Sequence, residues 1–323
     1  MPFSAVIGQS VAVSFLKRTL TAGKLGHAYI FEGIPGCGKR TTALALVEAL
    51  FCGGTEGCGN CPSCRKLASL QHPDLHLVEP ERAVIKIDQI RELQRELALR
   101  PYEAPRKACI IADADRLNLA SGNALLKTLE EPPGDALLIL ITANLGGVLP
   151  TIISRCQRLR FQPLTEQAIE ERLVELGKEP GLARVASSMA GGSLTKALEA
   201  CTEETLARRG TLLEQLTALS LDDIASLLKT AESLAADKEA AMEALDVIVT
   251  FLRDLLIYQS GGDSIVNRDQ LSLIERQALG LSRQEITERL ERTLATRQAL
   301  LRNVNTRLAL EVLFMNFAGE HPA

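Results

Sequence analysis

Five short β-forming runs punctuate the first half of the chain, each separated from the next by a stretch that contains helical pattern or loop: AYIFE (Ala28–Glu32), LHLVE (Leu75–Glu79), ACIIA (Ala108–Ala112), LLILIT (Leu137–Thr142) and QRLRF (Gln157–Phe161). Strands spaced this way are too far apart for tight hairpins and need crossover connections, which make them parallel and place helices on both faces of the sheet. One such helix is legible from Arg40 to Leu50, where Ala43, Leu44, Leu46, Val47 and Leu50 recur at helical spacing. The pattern predicts an α/β domain with a parallel five-stranded sheet over residues 1–161.

Beyond Phe161 the strand signal stops. QPLTEQAIEERLVELG opens on Pro163, offers Thr165 as an N-cap and runs as an amphipathic helix to Gly177; two further helices meet at AGGS (Ala190–Ser193). From about Arg208 to Phe317 the helical pattern returns, broken mainly at QSGGDS (Gln259–Ser264). The expected organisation is therefore an α/β domain to 161, a small helical domain over 162–207 and a helical C-terminal domain over 208–323.

Directly after the first strand comes GIPGCGKRTT, Gly33 to Thr42. A phosphate-binding loop works because a strand delivers a glycine-rich turn to a helix N-terminus, where free N–H groups and the helix dipole hold phosphate oxygens. Gly33, Gly36, Gly38 and Lys39 fit that pattern, and Lys39 can add its charge to the β and γ phosphates. The next position should carry a metal-liganding hydroxyl and carries Arg40 instead; Thr41 is about 100° further round the helix. The bland reading is a glycine turn joining strand to helix. Hydrolysis also needs an acidic pair at the end of a neighbouring strand. In ACIIADADRL, Asp113 can be the first carboxylate, but Ala114 follows it and Asp115 comes one place late, so it reads more naturally as a turn residue. Nucleotide binding without turnover is the expectation.

Eight cysteines occur, four of them in CGGTEGCGNCPSC: Cys52, Cys58, Cys61 and Cys64. Four thiolates in a short glycine-rich loop can close a tetrahedron round Zn²⁺ with no position open, which makes the expected site structural, an inserted zinc module over 52–64; unliganded loop thiols are the alternative. Cys37, Cys109, Cys156 and Cys201 read as small apolar residues. Arg155, in SRC just before the fifth strand, reads by itself as a surface charge.

Composition narrows the partners. A net charge of -4 argues against coating nucleic acid by bulk electrostatics, and 3% aromatics with no Trp argues against a base-stacking platform. No apolar run approaches the roughly 18 residues that would cross a bilayer, and no basic-then-apolar leader opens the chain, so a cytoplasmic protein with no membrane partner is expected.

The altered phosphate loop, the four-cysteine loop, HPD (His72–Asp74), IKIDQIREL (Ile85–Leu93), NALLKTLEEPP (Asn123–Pro133) and SRC (Ser154–Cys156) follow one another as they do in the AAA+ clamp-loader subunits of bacterial DNA polymerase III. The chain resembles that family over essentially its full length, most strongly to residue 161, and NVNTRLALEVLFMNF (Asn303–Phe317) is similar to the family's last helix. The resemblance implies that Arg155 is an arginine finger acting in trans on ATP held by an adjacent gamma/tau motor subunit, and that Cys52, Cys58, Cys61 and Cys64 hold Zn²⁺. It implies a phosphate loop, with Gly33, Gly36, Gly38, Lys39, Thr41 and Asp113, that is vestigial or holds ATP or ADP without turnover. It further implies a lid over 162–207 and a C-terminal collar that joins the chain to gamma/tau and delta subunits in a hetero-pentamer, which places a sliding clamp on primed DNA.

The family's motor subunits are the nearest rival reading, an ATPase in which Thr41 and Asp115 replace the missing groups. They carry an intact GK[ST], an Asp-Glu pair and an arginine after a Gly-Ser pair; here stand Lys39-Arg40, Asp113-Ala114 and Thr195. A zinc-bearing DNA-binding module is the third reading.

Overall fold

The computed structural model describes residues 2–133, 136–302 and 304–319; Asn303, the first residue of the expected last-helix motif, lies outside them. These residues fall into two compact units, one of 1–172 with 190–196 and the other of 173–189 with 197–323.

The first unit runs α1 (Ser10–Thr21), β1 (Ala28–Glu32), α2 (Lys39–Cys52), α3 (Pro62–Ala68), β2 (Leu75–Val78), α4 (Ile87–Ala98), β3 (Ala108–Ile111), α5 (Leu119–Glu130), β4 (Leu137–Thr142), α6 (Pro150–Ile153) and β5 (Gln157–Arg160). The strands form one parallel sheet in the order β2-β3-β4-β1-β5, as the spacing of the five runs predicts. Alternation along each strand divides its side chains between two cores. Tyr29, Phe31, Ile110, Leu137, Ile139 and Ile141 pack with Leu16 of α1 and Ala43, Leu46 and Val47 of α2. Ile30, Cys109, Ile111, Leu138 and Leu140 face the other way, against Ile90, Leu93 and Leu97 of α4 and Leu125 and Leu129 of α5.

Central β3 and β4 are buried throughout, which explains their unbroken apolar runs, whereas edge strand β5 (QRLR) is largely exposed. Its Arg158 and Arg160 put charge on an open edge, a guard against pairing with another sheet. HPD has a structural use: Asp74 is fully buried and accepts backbone N–H bonds from Tyr102 (2.8 Å), Glu103 (2.8 Å) and Ala104 (2.9 Å), pinning the turn that leads into β3.

The second unit has its own core. Leu213, Leu227, Leu245, Ile248, Phe251, Leu255, Ile274, Ile286, Leu310 and Phe314 are buried together within it. Following α7 (Glu166–Glu175), α8 (Pro180–Met189) and α9 (Leu194–Ala200), the helices contributing to this core are α10 (Glu203–Thr217), α11 (Ile224–Ala235), α12 (Lys238–Gln259), α13 (Leu271–Gly280), α14 (Arg283–Leu301) and α15 (Thr306–Gly319). The break at QSGGDS is present, at the end of α12. Others fall where caps rather than glycines mark them: Asp223 accepts from Ser226 N, Asp237 from Ala240 N, and Ser282 with Glu285 forms a reciprocal capping box at α14. Among the described residues no helix is long and apolar enough to cross a membrane.

Candidate functional site

The phosphate loop lies at the carboxyl end of β1, where the chain leaves the sheet and α2 begins. Gly36 (φ +75°) and Gly38 (φ +99°) are left-handed, a conformation that side chains resist, and they turn the loop into the helix. A side-chain carbon on Gly36 would collide with Ser193 Oγ and come within 3.0 Å of Thr195 N and Oγ1. Leu194 N also donates to Gly36 O at 3.0 Å, so the AGGSLT turn, 190–195, is seated on the loop. Gln9 fastens the other side: its Nε2 donates to Cys37 O (3.0 Å) and Gln162 O (2.6 Å), and its Oε1 accepts from Gln162 N (3.1 Å).

Lys39 is 6% exposed and folds back on its own loop, where Nζ donates to Gly33 O (2.5 Å) and Ile34 O (2.7 Å). Burial pushes its pKa down, with Cys37, Asp113 and Asp115 opposing the shift. Arg40 Nη1 pairs with Glu79 Oε1 at 2.5 Å, just past β2. The residue standing where a hydroxyl would face Mg²⁺ is thus a cation already engaged by a carboxylate. Thr41 is partly exposed, and the neighbouring Thr42 returns its hydroxyl to Gly38 O at 2.8 Å.

Across the same sheet edge Asp113 is exposed, in the left-handed region at φ +47°. Ala114 is fully buried, and Asp115 accepts from Thr142 Oγ1 at 2.5 Å. Thr142 is the polar last residue of an otherwise apolar strand and Glu79 closes LHLVE, signals that could have marked both; nothing in the local sequence marks Gln9.

The four cysteines converge. Cys52 ends α2, Cys61 caps α3 with Pro62 at its first position, and Cys64 sits in the first turn of α3. All four sulfurs lie within 4.8 Å of one another, with Cys58–Cys64 at 3.9 Å and Cys52–Cys61 at 4.0 Å. Zn–S bonds of about 2.3 Å would set tetrahedral edges of about 3.8 Å, so this donor set fits zinc. Backbone N–H groups of Asn60 and Cys61 hold the Cys58 thiol down at about 6, while burial pushes Cys64 up to about 12. Lys17 of α1 pairs with Glu56, fastening the loop to the domain. The remaining cysteines are buried or half-buried, as small apolar residues are.

Arg155 follows α6. Its Nη1 donates to Thr151 O at 3.0 Å and its Nη2 pairs with Glu130 Oε1 at 2.5 Å. The LEEPP end of α5 and SRC therefore meet.

The strand order β2-β3-β4-β1-β5, with the glycine-rich loop after β1 and helices on both faces, is the arrangement of the AAA+ fold. A gamma subunit-related DNA polymerase III protein from Thermotoga maritima shares that fold at a TM-score of 0.50 and 19% identity, over 96% of this chain and 100% of the other. The family described as "DNA polymerase III, delta subunit" matches residues 8–165, and its C-terminal counterpart matches 203–319. DNA polymerase III subunit delta' of Bacillus subtilis (strain 168) is 35% identical over 314 residues, 95% of either chain. The tau subunit from the same organism is 29% identical, over 80% of this chain and 50% of its own length. The chain belongs to the DNA polymerase III delta-prime family of clamp-loader subunits.

Proposed function

We propose that this chain is a non-hydrolysing, or at most weakly hydrolysing, member of a bacterial clamp loader that works in the cytoplasm and contributes an arginine finger to a neighbour. The observation that carries the reading is Arg40, ion-paired to Glu79 at the position where a catalytic loop needs a metal-liganding hydroxyl. Ala114 in place of a second carboxylate, and the engagement of Asp115 by Thr142, support it. For Lys39 to add its charge to a bound ATP or ADP, its Nζ exchanges the Gly33 and Ile34 carbonyls for phosphate oxygens.

In this reading 1–161 is the AAA+ domain, 162–207 its lid and 208–323 the collar, joined to gamma/tau and delta subunits in a hetero-pentamer that sets a sliding clamp on primed DNA. Arg155 reaches the triphosphate of the adjacent motor subunit and offsets charge that develops on the transferred phosphoryl group. Cys52, Cys58, Cys61 and Cys64 hold a structural Zn²⁺, which takes no part in that chemistry.

Two measurements test this. The isolated chain with Mg²⁺ is expected to give no ATPase above its Lys39→Ala variant; Lys39-dependent turnover would establish the motor reading instead. In the assembled complex, Arg155→Ala is expected to leave assembly intact and to lower turnover roughly 10³-fold at the one site it serves, with clamp loading slowed accordingly. Unchanged rates would remove the finger.

A further inference from the structure

The guanidinium of Arg155 is paired within its own chain. Nη2 meets Glu130 Oε1 at 2.5 Å and Nη1 donates to Thr151 O at 3.0 Å and to Ser154 Oγ at 3.4 Å. Both charged partners are at the surface, with side chains 37% and 49% exposed, so an incoming anion can reach the pair. Glu130 is the last residue of α5, where the helix dipole adds to the negative potential that holds a cation.

We propose that Glu130 is a resident counter-ion that parks Arg155 against its own chain until a triphosphate held by a neighbouring subunit displaces the carboxylate. This rests on the arginine-finger reading and adds its regulation. An unpaired arginine on an exposed turn would sample many rotamers and pair with any passing anion. The Glu130 pair confines the guanidinium to one place and neutralises it there. A single exposed carboxylate binds weakly, whereas a triphosphate offers several charges and a bidentate geometry, so exchange runs toward the nucleotide only when one is presented. Glu130 is thus a positioning residue that acts through Arg155 and touches no reacting atom.

The test uses the assembled clamp loader and steady-state ATPase. Removing the competing charge with Glu130→Gln is expected to lower the apparent KM for ATP roughly two- to five-fold, the span an exposed pair can supply, with kcat unchanged. Raising the salt should shrink that difference, since the competition is between screened surface charges. Glu131→Gln removes the same charge one residue away and is expected to keep the wild-type KM; an equal shift in both variants would mean a general field effect and overturn the proposal. In an Arg155→Ala background Glu130→Gln should change nothing. If Arg155→Ala matters and Glu130→Gln does not, or if Glu130→Gln lowers kcat, the parking role falls and the finger stands. If Arg155→Ala itself changes nothing, both fall.

Discussion

Arg40 is ion-paired to Glu79 where the phosphate-loop pattern calls for a hydroxyl. Replacing it with threonine would supply the missing hydroxyl and free Glu79, yet Ala114 still offers no second carboxylate and Asp115 stays bonded to Thr142. Arg40→Thr is therefore expected to leave Mg²⁺-dependent ATPase of the isolated chain at background, and turnover at a motor's rate would show that one side chain was the whole block. Asp74 makes a structural counterpart. Burial alone would raise its pKa, but the N–H groups of Ala104, Glu103 and Tyr102 hold it below the usual carboxylate range. Asp74→Ala leaves three backbone donors without their acceptor and is expected to cost about 3 kcal/mol in urea denaturation. A carboxyl with a lowered folded pKa stabilises above its unfolded value, near 3.9, and that contribution is lost as pH falls through the folded pKa. His72 and His76 act at higher pH. Burial lowers both, so the unfolded chain takes up protons first as pH drops below about 6.5, and stability falls by up to about 1.4 kcal/mol per pH unit for each histidine until its folded pKa is passed. His76→Phe should flatten the wild-type slope just below pH 6.5 by one histidine's share, read from denaturation midpoints.

At the scale of elements, α2 links the two sites of the first unit: it begins with Lys39 of the phosphate loop and ends with Cys52 of the thiol cluster. Its first turn is fixed by Gly36, Gly38 and the seated 190–195 turn, its last by the convergence of Cys52 with three cysteines from the following loop and α3. One zinc per chain is expected by elemental analysis, and none in Cys58→Ser,Cys61→Ser. A strong chelator should open 53–61 to proteolysis while far-UV circular dichroism of the sheet and helices changes little, because β1, β3 and β4 are held by two apolar cores that include none of the four thiols. Loss of the whole first unit on chelation would show that the metal carries the fold.

Taken whole, the molecule carries a net charge of -4. Phosphate contacts, which dominate nucleic-acid affinity, need local positive charge, so the isolated chain is expected to show no DNA binding tighter than about 10⁻⁶ M at physiological salt. Strong, salt-sensitive binding in a mobility-shift assay would favour the DNA-binding-module reading. The five strands were legible in the sequence nearly to the residue, most plainly β3 and β4, whose burial on both faces demands a run that is apolar save for the terminal Thr142. The sequence by itself also determined the thiol set, whose ligands are near in sequence, and the altered phosphate loop, whose parts are contiguous. Where caps end the helices of the second unit, side-chain and backbone partners three residues apart carry a weaker signal than the glycines of QSGGDS, so those breaks were less visible. The partners of the site residues were beyond reach: Arg40 with Glu79, Asp115 with Thr142, Arg155 with Glu130 and Gly36 with the 190–195 turn are separated by 25 to 160 or so positions and share no periodicity. The parallel register, which aligns the carboxyl ends of β1 to β4, brings two of these pairs within bonding distance, Arg40 with Glu79 and Asp115 with Thr142, and chain packing outside the sheet brings the other two.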